Sequence, residues 1–407
     1  MLLPFFPKKI RFFLNANAVS FKKKYAIKKA LMEGFERLSF VKMENKYLYY
    51  TSYNQLLKKF SKNLVVNPKE LIFFSKEQFK FKKYQKYKFS ESKLIWWTKV
   101  KSYEVVEESL NLKNNIFFPA SLIFFLDYSA LSKSDEYLFK VIDSNGLAAG
   151  FSYTDTLNRA LLELIERDVY TIYFFVKLKP KIIITESLKG SSLFNIIEYI
   201  ESYNFKLYLL YLENDFKIPV IVSILEDRSR SYPKILVSAK ADLDVLNSIK
   251  GAILEVLQGL IPMRDLSYSQ DTKNSEIIYN SNFLKDNPII KRLIFWARKG
   301  DLSLLNFWIK SASKIDVSKI ASYKNLTSKQ KLRTVCNRLY SNNIKNIFIK
   351  TKKFDYNKKK VYTIRCFVPE LCPIFIDQNF KYLNNKRLQY YLKTYGKSVN
   401  KLIHPLP

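Results

Sequence analysis

Apolar residues recur every three or four positions in three separate stretches, AIKKALMEGFERLS, TLNRALLELIERDV and SIKGAILEVLQGL. That period gathers them on one side of a helix. It predicts an amphipathic helix over residues 24 to 40, a long helix from about Tyr153 to Tyr173, and a third helix across LDVLNSIKGAILEVLQGL. Residues 191 to 211 suggest a further helix, while KLYLLYL and PVIVSIL are short continuous apolar runs that read as buried strands. Between residues 41 and 140, runs such as KYLYYTSY, KELIFFS and NNIFFPASLIFF predict mostly β structure. Residues 265 to 350 are polar, rich in Asn and Lys and read as mostly helical; KKVYTIRCFVPEL returns to β. Strands alternating with helices predict an α/β (α+β) enzyme-like core.

The same three helical stretches share a polar spacing. Ala30 is followed by Glu33 and Glu36, Ala160 by Glu163 and Glu166, and Ala252 by Glu255 and Gln258. Positions i and i+3 share a helix face, so each stretch presents two acceptor side chains side by side. Arg37 and Arg167 follow directly on the first two pairs. Paired carboxylates in a chain with 36 acidic and 69 basic residues point to a bound hard cation, and a nucleotide triphosphate is the obvious reason to hold one.

Composition bounds the rest. The chain has 407 residues, 48% hydrophobic and 16% aromatic, enough for one large or two medium cores. No apolar run approaches the roughly 20 residues that span a bilayer. VYTIYFFV stops at Lys177 and SLIFFL at Asp127. The N-terminus, MLLPFFPKKIRFF, lacks the charged start of a signal peptide, so a cytoplasmic protein without membrane insertion is expected. Cys336, Cys366 and Cys372 are odd in number and show no C-x-x-C spacing, so core filling is their expected role. The net charge of +33 invites a nucleic-acid reading. However, abundant Lys, Asn, Ile, Phe and Tyr with only 8 Gly suits an A+T-rich coding sequence. FKFKKYQKYKF (Phe79 to Phe89) reads as an amphipathic strand with a solvated lysine face, and nucleic acid is not the expected partner.

Absences narrow the chemistry. With a single histidine, His404, a Ser-His-Asp triad or a His-ligated metal would have to be built on the C-terminal tail. Neither a P-loop nor a G-x-G-x-x-G motif occurs. SNGLAAG (Ser144 to Gly150) holds two of the eight glycines, which marks a place where backbone geometry or close ligand approach is demanded.

SNGLAAG followed at this spacing by ALLELIERD closely resembles the YcaO superfamily. AIKKALMEGFERLS resembles that family's earlier E-x-x-E-R helix, and AILEVLQG its later E-x-x-Q helix. The flanks WWTKVKSYEVVEESLNLKNNIFFPASLIFF, KIPVIVSILED and VYTIRCFVPEL are similar to family segments in the same order. The resemblance implies one YcaO-type domain over 1–407. Its parts are 1–140 with the first acidic helix, 141–264 as the ATP-site core, 265–350 as a variable region, and 351–407 with the tail. It also implies mixed sheets with the acidic helices converging on an ATP and Mg2+ site. Glu33, Glu36, Ser144, Asn145, Asp155, Glu163, Glu166, Arg167, Glu255 and Gln258 would bind ATP, and Glu33, Glu36, Glu163, Glu166 and Glu255 would bind Mg2+.

Family members that form azolines end in alternating prolines, and this chain ends in HPLP, so Pro405, Pro407 and Arg167 are the expected catalytic positions. The implied activity is ATP-dependent cyclodehydration of a ribosomally made precursor peptide. Implied partners are that peptide, an E1-like or leader-binding protein and a flavin-dependent dehydrogenase, in a homodimer or hetero-complex. Thioamide or amidine formation, and a basic RNA-binding scaffold with a degenerate ATP site, stand as alternatives. The chain departs from the family at NANAVSFKKKYA, where a Gly-rich stretch with Lys is usual. It departs again at Phe151, where Asn is usual, and at Glu370, where Gly is common.

Overall fold

The computed structural model describes residues 18–41, 48–124, 139, 143–229, 233–271, 288–310, 312–375 and 377–406. These fall into two units, one built from 28–167 and 326–390 and the other from 17–27, 168–325 and 391–407.

The elements run in the order α1 (Lys23–Val41), β1 (Leu48–Ser52), α2 (Tyr53–Lys59), β2 (Leu94–Val106), β3 (Ser109–Pro119), β4 (Leu147–Gly150) and α3 (Tyr153–Val176). There follow β5 (Lys181–Ile183), α4 (Ser192–Ser202), β6 (Phe205–Tyr211), β7 (Val220–Asp227), β8 (Ile235–Ala241) and α5 (Val245–Asp271). Last come α6 (Pro288–Ile294), α7 (Asn306–Ile309), β9 (Lys314–Ile315), α8 (Ser328–Ser341), β10 (Asn346–Tyr356), β11 (Lys359–Phe367) and α9 (Lys386–Thr394).

In the first unit, β1, β2, β10, β11 and β4 form a sheet in that order, with β3 also paired to β2. Every pairing is antiparallel. Trp97 and Phe118 are fully buried on it, and the Trp97 indole N–H donates to Thr51 O at 3.0 Å, so the ring loses no polar partner on burial. β4 is the last strand. Met32 of α1 packs with Ala149 of β4 and Val361 of β11, and Phe35 meets the Tyr356 ring edge-on at 5.5 Å. The apolar stripe of α1 thus fixes which of its faces carries the carboxylates.

In the second unit the sheet order is β8-β7-β6-β5-β9, antiparallel except for the parallel β5–β9 pair. Helices α4 and α5 bury Ile197, Ile249, Ile253 and Val256 with Ile221 and Leu225 of β7. The hydroxyls of Ser223 and Ser238 are satisfied within this core: they lie 2.9 Å apart and both donate to Ala252 O.

Several expectations need correction. KELIFFS does not form a strand; Pro68–Leu71 is a 3-10 turn, and the Lys69 N–H within it is capped by Asn67 Oδ1. FKFKKYQKYKF is likewise not a strand but two 3-10 turns, Gln78–Lys80 and Lys82–Tyr87. Residues three apart eclipse in such turns. Tyr84 and Tyr87 therefore both turn inward onto Phe74 and Phe380, and Lys83 and Lys86 both lie over the Phe380 ring. Within 191–211 the helix stops at Ser202, Asn204 takes a left-handed φ of 64°, and β6 begins. The stretch 265–350 is mostly helical among its described residues, as expected, though it also holds β9 and the start of β10, and 272–287 lies outside the described residues. All three cysteines are buried and none forms a disulfide, as core filling requires. Burial pushes the Cys336 thiol up to about 12 and that of Cys366 higher still, so neither is a nucleophile at neutral pH.

Candidate functional site

Ser144 to Gly150 is held by its backbone. Gly146 has φ +73°, and a Cβ there would collide with Cys366 O, while Gly146 O accepts from the Cys366 N–H at 2.8 Å. Only glycine meets both demands. Asn145 is buried; its side-chain amide donates to Ile374 O at 3.2 Å, and its backbone N–H donates to Asp143 Oδ1 at 3.1 Å. Asp143 in turn forms a buried ion pair with Arg365 at 3.1 Å. Ser144 stays exposed.

The acidic pair of α1 reaches this strand. Glu36 Oε1 accepts from the Ala149 N–H at 2.8 Å, and Arg159 of α3 donates to Ala149 O. Both groups lie on the last strand of the sheet, so two charged side chains satisfy peptide groups at its edge. Arg159 passes directly over Gly150, where a Cβ would strike its guanidinium. Burial is the main cause that pushes the Glu36 carboxyl up, to about 7, against the opposing pull of the Ala149 N–H and Arg159. Glu33 is ion-paired with Arg37 one turn on.

On α3, Glu163 and Glu166 share a face with Arg167, whose Nε lies 3.8 Å from Glu163 Oε1 and 3.4 Å from Glu166 Oε1. Glu166 is almost wholly buried, so its charge depends on such partners. Asp155, in the first turn, is exposed. In the second unit Glu255 is paired with Lys240 at 2.7 Å. The Lys240 stem crosses α5 at Gly251, where a Cβ would meet it, and Gln258 is half-buried one turn beyond Glu255.

The tail is not frayed. His404, Pro405 and Leu406 are buried in the second unit, while Pro407 lies outside the described residues. Trp296 Nε1 donates to Ile403 O at 3.1 Å, and Arg292 Nη1 stands 3.1 Å from His404 Nε2.

The first unit therefore gathers Glu33, Glu36 and Asn145 around β4, with Glu163, Glu166 and Arg167 further along α3. Arg159 escaped the sequence reading, although it stands four residues after Asp155 and four before Glu163, on one helix face. Lys240 also escaped it, because only strand pairing and helix packing bring it to Glu255. Among the described residues no group of three acidic, His or Cys side chains is assembled as a metal cluster. The donor set nevertheless suits Mg2+: it is all oxygen, and a carboxyl held up near 7 by desolvation gains from a nearby cation. No helix among the described residues is long and apolar enough to cross a membrane.

Comparison with known proteins gives the context. A search of curated proteins finds no match. In fold, the chain resembles a heterocyclase solved in complex with substrate and cofactor, with a TM-score of 0.69 and 15% identity over 95% of this chain and 49% of the other. It resembles the heterocyclase TruD at 0.64 and 17% identity, covering 91% of this chain and 48% of that one. The chain thus spans about half the length of these two structures. It also resembles the E. coli microcin synthetase McbBCD complex with pro-MccB17 bound, at 0.61 and 13% identity over 96% and 90% of the two chains. The YcaO protein of Methanopyrus kandleri, bound with AMPPCP and Mg2+, aligns at 0.60 and 13% identity over 90% and 81%. Residues 19–372 match the family model described as YcaO cyclodehydratase, ATP- and Mg2+-binding. With that match running over most of its length, and with the acidic helices and glycine loop set as described, the chain belongs to the YcaO family.

Proposed function

We propose that this chain is an ATP-dependent cyclodehydratase that forms thiazoline or oxazoline rings in a ribosomally made precursor peptide. The observation that carries the reading is the pair of carboxylate couples, Glu33/Glu36 and Glu163/Glu166, drawn away from solvent within the span matched by the family model. Mg2+, when bound, would neutralise phosphate charge, and Glu33, Glu36, Glu163 and Glu166 are its proposed ligands. Glu255, Gln258, Ser144, Asn145 and Asp155 are proposed to contact ATP.

In the proposed reaction a Cys, Ser or Thr side chain adds to the carbonyl carbon of the preceding amide. Its S–H or O–H proton leaves, and the carbonyl oxygen becomes a hemiorthoamide oxygen. That oxygen attacks the γ-phosphorus of ATP, the bond from γ-phosphorus to the bridging oxygen breaks, and ADP departs. Loss of phosphate with the amide N–H proton leaves the C=N bond of the ring. Arg167 is proposed to turn from Glu163 and Glu166 toward a phosphate oxygen, which a guanidinium matches in geometry. Pro405 and Pro407 are proposed as the remaining catalytic positions, and the rigid proline φ lowers the entropy lost in ordering the segment that carries them. A leader-binding partner and a flavin-dependent dehydrogenase that oxidises the azolines complete the proposed system.

The test is intact-mass analysis of precursor peptide incubated with the chain, its leader-binding partner, ATP and Mg2+. The expected product is lighter by one water per ring, with ADP and phosphate formed in step. Glu166→Gln should lower Mg2+-dependent ATP binding by about 100-fold, read by calorimetry, because it removes a buried charge from the phosphate site. A folded Glu166→Gln variant that binds ATP normally sinks the assignment of that helix. ATP turnover with sulfur or amine incorporated in place of water loss would favour thioamide or amidine formation instead.

A further inference from the structure

We infer that the end of β4 carries a phosphate-binding corner, in which Lys28 and Lys359, gathered at the ring of Phe151, hold the polyphosphate of a bound nucleotide. This rests on the ATP-binding part of the proposed function and extends that site by Lys28, Phe151 and Lys359.

The corner is built by one strand register and one helix face, all within the first unit. β11 pairs with β4 up to Tyr362 opposite Gly150, so Val361, Lys360 and Lys359 run on past the end of β4. Side chains alternate along a strand, so Val361 and Lys359 share a face. Val361 is fully buried with Met32 of α1 and Ala149 of β4, and Lys359 therefore lies toward α1. Lys359 is also firmly placed. Only Asn357 and Lys358 join β10 to β11, both at positive φ, 45° and 60°, the conformation of a tight two-residue hairpin turn. On α1, Lys28 stands one turn before Met32 and Glu36 one turn after it, so the three share a face. Met32 packs on Ala149 and Glu36 reaches the Ala149 N–H, which brings Lys28 to Phe151, just past the strand's end.

Lys28 Nζ lies over the Phe151 ring, 5.2 Å from its centroid, and Lys359 Nζ lies 5.8 Å from the same centroid. Both are cation–π distances. The guanidinium of Arg159 adds a third positive charge at Gly150, the residue before. Like charges gathered in this way repel, and the ring offsets only part of that. Both lysines are exposed, and neither is ion-paired among the described residues. The carboxylates nearby on the same two elements have other partners: Asp355 of the hairpin is paired with Lys360 at 2.7 Å, and Glu33 of α1 with Arg37. The two ammonium groups thus keep donors for an anion from solvent. Glu36, a proposed Mg2+ ligand, stands on the same face of α1 about 12 Å along its axis from Lys28, a gap that the flexible lysine stem shortens. A polyphosphate is the anion that suits both ends, with a metal ion at the carboxylates and lysines as point charges at the phosphates. Single-stranded nucleic acid would use Phe151 to stack a base. That ring is half-buried in the Met32 cluster and covered by ammonium groups, which leaves little face for stacking.

Calorimetric titration of the full chain with MgATP tests the corner. Lys28→Met and Lys359→Met should each weaken binding about fivefold, and the double variant about tenfold or more, the range for exposed charged contacts to phosphate. Both lysines are exposed, so the variants should keep the wild-type thermal midpoint. Lys353→Met is the control: it removes the same charge from the same hairpin, where Lys353 lies over Tyr362 instead, and should leave the affinity unchanged. Lys28→Arg should retain most of the affinity. Added KCl should weaken wild-type binding more steeply than binding to the double variant. Tripolyphosphate, which has no nucleoside, should bind the wild-type chain and be held about tenfold more weakly by the double variant. A folded double variant that binds MgATP as tightly as the wild type overturns the inference. An equal loss in Lys353→Met does so too, because the effect would then be one of net charge. Binding of a short single-stranded RNA that the double variant loses, with MgATP affinity unchanged, assigns the corner to nucleic acid and overturns it as well. A wild-type chain that binds tripolyphosphate through these lysines but not MgATP overturns the nucleotide reading and leaves the phosphate corner standing. A chain that binds neither overturns both.

Discussion

Glu36 is a carboxyl group whose ordinary range is displaced by burial, upward from 4.5 to about 7, although the Ala149 N–H and Arg159 both favour its charged form. Its sign in stability follows from that direction. The folded state binds the proton more tightly than the unfolded one, so in metal-free protein stability falls as pH rises from about 4.5 through about 7 and is level above. Glu36→Gln should remove this slope and stabilise the metal-free chain by roughly 2 kcal/mol at alkaline pH, with little change near pH 4.5. Each tenfold gain in proton affinity on folding corresponds to about 1.4 kcal/mol, and partial access of solvent to the group trims the total. Urea midpoints of both proteins at the two pH extremes check this; parallel displacement at both would count against it. The carboxylate residues themselves were readable from spacing alone, since i and i+3 on a helix share a face whatever the helix packs against. Their electrostatics were not, because desolvation of Glu36 depends on β4, which is far away in sequence.

At the scale of elements, the glycine loop and the helix after it behave as one piece. Gly146 combines a left-handed φ with close approach to Cys366 O of β11. Gly146→Ala should therefore cost roughly 3 kcal/mol, the sum of an unfavourable backbone region and a backbone collision that no rotamer relieves. A loss under about 1 kcal/mol in chemical denaturation would mean that β4 and β11 part more easily than their pairing implies. Scarcity made this glycine conspicuous in the sequence. Where the chain instead offered alternating aromatics and lysines, at Phe79 to Phe89, period was a poor guide: spacings of two and of three both occur there, and Phe74 and Phe380 drew Tyr84 and Tyr87 to the same side of a 3-10 turn. Helix α3 runs to Val176, slightly past the expected end near Tyr173, and a segment some two hundred residues later caps its final carbonyls.

At the scale of the whole molecule, His404, Pro405 and Leu406 are packed inside the second unit. Pro405→Ala should lower the thermal midpoint by only a few degrees, because the contacts of Arg292, Trp296 and Asn400 remain, yet lower the rate of ring formation by about tenfold, because the segment proposed for the reaction loses its fixed φ. Measured beside the unaltered chain with the same peptide and partner, an undiminished rate would remove that segment from the reaction. The large positive charge calls for less. Lys83 and Lys86 lie over aromatic rings, and Lys240, Lys206 and Lys181 are paired with carboxylates, so these lysines have ordinary surface roles.

The amino-acid sequence by itself determined the helices that carry the acidic pairs, the demand for glycine before α3 and the alternation of strand and helix, because each follows from local periodicity or local sterics. It also determined that any histidine-based triad would have to use His404 and that no P-loop can form, since a residue or motif that is not in the chain cannot be supplied by folding. Only the tertiary structure decided that Glu36 reaches Ala149, that Arg159 closes the same strand edge, that Lys240 crosses Gly251 to Glu255, and that His404 meets Arg292. Each of these contacts joins segments whose separation in sequence leaves no periodic trace, and all but the partly exposed Lys240–Glu255 pair give a buried charge or peptide group the partner it needs once water is excluded.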